Sequence, residues 1–295
     1  MTDSIQTAVL EWDFPPIVCA LLILTAIIYA RGWIRIRRTR PQIFPAWKLA
    51  CFLGGIAALI VAVASPLDTL GDRLLFMHMG QHYVFMSVAP PLIVLAAPVV
   101  PMLRGMPRWF VRHVLGPLLW VRSLRRFLHE LVGLRPAWLL MNLSYLGWHV
   151  PAAYELALRS EAWHDCEHAC FFFTSLLFWW PIIEPWPSRF RSSRWLLLPY
   201  LLSADIINTG VSAFLVFSGR VLYPSYAVEP RPFGISALSD QAAAGAFMWV
   251  FGSTVFLVPV FIITMQLLSR RGPFGAGPRA EVSEQARILQ SQSTP

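Results

Sequence analysis

The sequence predicts an all-α, polytopic membrane protein of seven transmembrane helices, its N-terminus outside and its C-terminus in the cytoplasm. Three observations carry that expectation: an apolar composition, seven apolar runs of spanning length, and a lopsided distribution of arginine. The 295 residues are 56% hydrophobic, 14% aromatic and only 14% charged. An ordinary soluble domain carries about 25% charged residues, and a soluble core could not hide this much apolar surface. The 13 Trp and 20 Phe suit aromatic belts at the membrane interfaces. Such a composition excludes a disordered chain, a secreted disulfide scaffold and an ordinary cytosolic enzyme. The four cysteines, Cys19, Cys51, Cys166 and Cys170, are too few and too apolar in setting to form a disulfide framework.

A membrane helix needs about 20 mostly apolar residues. The runs 15–33, 46–64, 74–100, 136–156, 164–183, 195–217 and 241–268 meet that need. The third and seventh are long enough to tilt, and Pro90, Pro91 and Pro98 should kink or end the third. Residues 1–271 are thus expected to form one seven-helix domain, followed by a flexible cytoplasmic tail, 272–295, rich in Gly, Pro, Ser and Gln. The N-terminus is acidic and positive charge follows the first apolar run, so no cleavable signal peptide is expected.

Orientation follows from where the positive charge sits. Arg31, Arg35, Arg37, Arg38, Arg40 and Lys48 flank the first loop, and Arg104, Arg108, Arg112, Arg122, Arg125, Arg126 and Arg135 fill the segment 101–135. Arg189, Arg191 and Arg194 lie in a later loop, and Arg270, Arg271, Arg279 and Arg287 in the tail. These are 20 of the 24 basic residues, leaving Arg73, Arg159, Arg220 and Arg231 to the other side. The positive-inside rule then places the N-terminus outside, in agreement with the parity of seven spans. The net charge of +8 is therefore an orientation signal and no mark of nucleic-acid binding. Segment 101–135 alternates Arg with Trp, Phe and Leu, as an amphipathic helix on an anionic inner leaflet does, and its His113 and His129 are expected to be interfacial.

The other five histidines carry the chemistry. His78 and His82 stand four apart at the outer start of span three, and His164 and His168 four apart at the outer start of span five. His149 is expected about two turns below the outer end of span four. Residues four apart share a helix face at about 6 Å, so two imidazoles can grip one metal ion. For one isolated histidine, interhelical hydrogen bonding is the plainer explanation. Two such pairs at one depth point to a metal site, with His149 and Asp240 as completing groups and Met79, Cys166, Glu167 and Gln241 as secondary candidates. Imidazole suits zinc, copper, iron and nickel, and nearby thioether and thiol groups tilt the choice toward copper. Deeper in the bilayer, Asp205, Asn208 and Ser212 share one face of span six, and Asn142, Tyr145 and His149 one face of span four. Such stripes form either an interhelical hydrogen-bond network or a polar pathway below the metal site.

At these residues the sequence resembles the seven-span CtaG-type cytochrome c oxidase assembly proteins. The resemblance rests on His78-Met-Gly-Gln-His82, Ala89-Pro-Pro-Leu and Trp148-His149. It continues through His164-Asp-Cys-Glu-His168, Phe178-Trp-Trp-Pro and Leu222-Tyr-Pro-Ser-Tyr226, and ends in Asp240-Gln241, Ala244-Gly245 and Met248-Trp249. It implies a protein of the bacterial plasma membrane that aids maturation of a copper-containing respiratory oxidase, with the oxidase's catalytic subunit or its assembly intermediates as partner. On that reading the chain is an assembly factor and metallochaperone rather than an enzyme. Two other readings stay open at this point: a seven-span zinc hydrolase, with three His and a carboxylate around zinc, and a haem-handling protein with axial His ligands.

Overall fold

The computed structural model describes residues 12–187, 193–227 and 232–269. The tail 272–295 and residues Arg189, Arg191, Arg231, Arg270 and Arg271 lie outside the described residues. Within them the chain is all-helical. Five helices are long and apolar enough to cross a membrane: α1 (Pro16–Arg37), α2 (Ala46–Ala64), α12 (Glu161–Ile183), α13 (Arg194–Phe217) and α14 (Ala237–Ser269). A bent pair of arms (Leu75–Leu95 and Val99–Gly105), meeting at 72°, passes the same test of length and composition when taken together, which brings the candidates among the described residues to as many as six.

Each break in these helices has a local cause. Pro66 bars Ser65 from helical geometry, so α2 stops there and the Ser65 side chain caps α3 (Pro66–Gly71), accepting from Leu67 N–H at 3.2 Å. The bent pair starts as α4 (Leu75–Tyr83), widens into one π turn (Val84–Val88) and resumes as α5 (Ala89–Leu95). Pro90 has no N–H for the Met86 carbonyl four residues back, and the indole of Trp179 on α12 donates to that carbonyl at 3.1 Å. Ala97, at φ 52, and Pro98 then turn the chain into α6 (Val99–Gly105). The Tyr29 hydroxyl of α1 donates to the Ala96 carbonyl at this corner, at 2.9 Å.

The sequence misplaces two features. The run 136–156 is not one helix: α10 (Leu134–Trp148) has 15 residues, about 22 Å at the α-helical rise. Pro151 starts the separate helix α11 (Pro151–Arg159), because its fixed φ favours a first helical position and its missing N–H cannot extend α10. His149 is therefore the C-cap of α10 and not two turns inside a span. The basic segment also begins differently, since α6 packs along α1 instead of lying on the surface. Gly32 and Gly105 permit that approach, because a methyl group on either would strike the carbonyl of Pro101 or Ile28. Beyond it come α7 (Arg108–Phe110), a π turn, α8 (Gly116–Trp120) and α9 (Arg122–Leu131), none of which contains a buried residue.

The remaining packing brings the histidine-bearing helices together. α13 lies along α14, α14 touches α4, α10 and α11 flank α12, and α12 rests on α5.

Candidate metal centre

The N-terminus of α4 is held from outside its own helix. Asp240, in the first turn of α14, accepts the Leu75 N–H at 2.9 Å through Oδ2 and the Phe76 N–H at 3.1 Å through Oδ1. A carboxylate there satisfies two of the helix's free amides and complements its dipole. From this fixed start His78 and His82 project one turn apart. On α12, whose N-cap is Ser160, His164 and His168 do the same.

The two pairs meet. His78, His82, His164 and His168 each offer a nitrogen, and those atoms lie within 4.8 Å of one another. Ring centroids are 4.3 Å apart for His78 and His82, 4.1 Å for His164 and His168, 5.2 Å for His78 and His164, and 5.4 Å for His82 and His168. His78 is 1% exposed, His82 2% and His168 8%, while His164 is the member that reaches the outside. Both nitrogens of His82 and the Nε2 atoms of His164 and His168 are buried without a hydrogen-bond partner. The nitrogens of His78 are buried with only the Gly71 carbonyl beside the ring. Buried polar atoms are normally satisfied, so this many convergent, unpartnered imidazole nitrogens fit the donor set of a metal ion.

Aromatic side chains wall the site. Phe85 stacks on His168 at 4.4 Å, Phe171 lies 4.8 Å from His82, and Tyr154 of α11 lies 5.3 Å from His78. Tyr154 and Tyr226 bring their hydroxyls to 3.4 Å, and the Tyr226 hydroxyl donates to the Gly71 carbonyl at 2.9 Å. Tyr223 covers Tyr154 at 4.1 Å and donates to the His149 carbonyl at 3.1 Å. Glu155 clamps this loop over the site, accepting from the Ser225 N–H at 2.9 Å and its hydroxyl at 2.6 Å. Burial alone would raise the Glu155 pKa, but the Ser225 bonds and Arg159 outweigh it and hold the carboxyl below its ordinary value.

Comparison with known proteins gives this geometry a family. The profile of the cytochrome c oxidase caa3 assembly factor family (Caa3_CtaG) matches residues 27–270. The chain belongs to that family. It is also 26% identical over 275 residues to an uncharacterized protein of Mycobacterium leprae, covering 88% of this chain and 39% of that protein. Uncharacterized proteins of Mycobacterium bovis and Mycobacterium tuberculosis are each 25% identical over 275 residues, covering 90% of this chain and 40% of theirs. The chain thus spans about two-fifths of the length of these relatives. No solved structure matches it.

In this Caa3_CtaG protein the other residues singled out from the sequence take different places. Glu167 is wholly buried, its Oε2 3.7 Å from His82 Nε2 and neither oxygen hydrogen-bonded, so it stands ready beside the cluster. His149 lies outside the four-His group; its Nδ1–H donates to the Tyr145 carbonyl at 2.7 Å, which leaves Nε2 with its lone pair free. Asp240 is also outside the group and serves as the cap of α4. Gln241 secures the following loop: its oxygen accepts the Leu222 N–H at 2.8 Å, and its amide donates to the Leu215 and Arg220 carbonyls and the Ser218 hydroxyl. Cys166 and Cys170 lie outside the group, about 160–200° around α12 from His164 or His168 at 100° per residue, and Met79 is packed in the core.

The polar stripes join helices. Asn208 accepts from the Tyr83 hydroxyl at 2.7 Å and the Tyr145 hydroxyl at 3.1 Å, and donates to the Met248 carbonyl at 3.2 Å. Asp205 accepts from Ser253 of α14 at 2.8 Å, whereas Asn142 donates to the Trp138 carbonyl of its own helix at 2.8 Å. Sequence reasoning missed Tyr154 and Glu155 entirely, and gave Tyr223-Pro-Ser-Tyr226 no part in the site beyond its place in the family resemblance. Aromatic enrichment next to a Pro turn was the available signal.

Proposed function

We propose that this protein holds copper at His78, His82, His164 and His168 and delivers it to a cytochrome c oxidase during assembly of that enzyme. The observation that carries the proposal is the convergence of four imidazoles, three buried and His164 partly exposed, in which both nitrogens of His82 and the Nε2 atoms of His164 and His168 have no hydrogen-bond partner. Membership in an oxidase assembly family supplies the process. Glu167 and His149 are the groups best placed to complete or adjust the ligand set, and the Tyr154, Tyr223 and Tyr226 lid limits water and competing ligands around the ion.

The recipient on this reading is the oxidase's catalytic subunit or an assembly intermediate, within a bacterial plasma membrane. This reading keeps the seven-span, N-out and C-in topology, with α10 as the fourth crossing and α11 outside the membrane at its outer end; reporter fusions after Arg271 should then be active only as cytoplasmic reporters. The packed ring-to-ring distances favour a single ion over a porphyrin. The buried Glu167 beside His82 is what favours the zinc-hydrolase alternative, since a carboxylate near zinc can act as a general base.

The test is cellular. A strain carrying His164→Ala/His168→Ala should keep the protein in its membrane yet yield oxidase depleted of copper, with activity partly restored by added copper. Normal copper in the oxidase, together with loss of a hydrolytic activity, would favour the zinc reading instead.

A further inference from the structure

We infer that the acid-lined cleft between α3, α11 and α12 is the route by which a metal cation reaches the four-His cluster; this rests on the metal-site reading above. The cleft has a volume of about 270 Å³ and is lined by Asp68, Asp72, Ala157, Leu158, Glu161 and His164. Its lining thus includes the one cluster histidine that is not fully buried, and that histidine offers a nitrogen within 4.8 Å of those of the other three. Three carboxylates stand around the opening, with Arg73 exposed beside Asp72 as a counter-charge.

Asp68 is held in place rather than left free. Gln81 donates to its Oδ1 at 2.6 Å and to the Ala62 carbonyl at 2.9 Å. Gln81 sits between His78 and His82 on α4, so the same helix that presents two imidazoles also fixes the innermost carboxylate. Hard oxygen donors at the mouth and borderline nitrogen donors behind suit a cation that sheds water in steps and settles on imidazole. A cleft with low-dielectric walls and charge of one sign concentrates the opposite ion and speeds its capture by about 10–10³-fold, an effect that weakens as salt rises.

The experiment follows uptake of Co²⁺, whose visible absorption reports imidazole ligation, by the full-length protein in neutral detergent at several salt concentrations. In Asp68→Asn/Asp72→Asn the carbonyl of residue 68 still accepts from Gln81, so the fold is kept. Uptake should slow about tenfold or more at low salt, lose most of its salt dependence and end at the stoichiometry of the unaltered protein. Asp72→Asn/Glu161→Gln, at two exposed positions, repeats the test without touching the Gln81 bond, and Glu130→Gln on α9 controls for net charge. Unchanged rates and salt dependence in both double variants would overturn the route. So would a loss of final stoichiometry, which would make the carboxylates ligands. Failure of the unaltered protein to take up Co²⁺, Zn²⁺ or copper at all would overturn the metal site itself, a result separable from either.

Discussion

The Asp240 carboxylate accepts the backbone N–H of Leu75 at 2.9 Å, joining residues 165 apart in sequence and making α14 the cap of the helix that bears His78 and His82. The helix carrying half of the cluster is thus positioned by a helix that contributes none of it. Asp240→Ala should lower stability in detergent by about 1–2 kcal/mol, the usual worth of an N-cap, and weaken metal affinity while leaving stoichiometry intact. Thermal unfolding and metal titration on the same preparation check both. Normal stability with lost stoichiometry would show that Asp240 is a ligand after all.

Gly252 is required where α14 passes the Tyr83 and Asn208 side chains. A Cβ at that position would collide with the Tyr83 hydroxyl and the Asn208 amide. Gly252→Ala should therefore cost about 1–3 kcal/mol, as overpacking of a tight site does, by prying apart the Tyr83–Asn208–Tyr145 network. A thermal midpoint equal to that of the unaltered protein would refute this.

The loop over the cluster should be pH-sensitive. Glu155 has its pKa held below the ordinary carboxylate value in the folded state, so its contribution is full above the unfolded pKa and is lost as pH falls through the folded one. Protection from hydrogen exchange at the amides of 222–227, taken relative to the intrinsic rate at each pH, should fall as the pH drops below the ordinary carboxylate range. In Glu155→Gln the protection should already be lower at neutral pH and change much less in acid. Identical pH profiles would remove Glu155 from the clamp.

How much of this was legible in the sequence differs residue by residue. The spacing of His78 to His82 and of His164 to His168 marks a shared face on each helix, because that information is local. That the two faces meet depends on how α12 packs on α5 and beside α4, which no local spacing records. Asp240 illustrates the limit: a carboxylate at the outer end of a span looks like a ligand until its partner, the start of α4, is known. The fourth span was misread because hydropathy continues smoothly across 148–151, whereas the helix is broken there by one proline. Tyr154 escaped notice since a single tyrosine on a short helix has no periodic signature, and only the fold brings it to 5.3 Å from His78.

The most direct test of the central claim is the metal content of protein produced without a His-tag and purified without chelators, measured beside His78→Ala/His82→Ala. The unaltered protein should retain or take up close to one copper per chain, with nitrogen ligands in its X-ray absorption spectrum. The double variant should stay folded in the membrane and hold little or none. Equal copper in the two proteins, or none in either, would contradict the assignment of the four-His cluster as a metal centre.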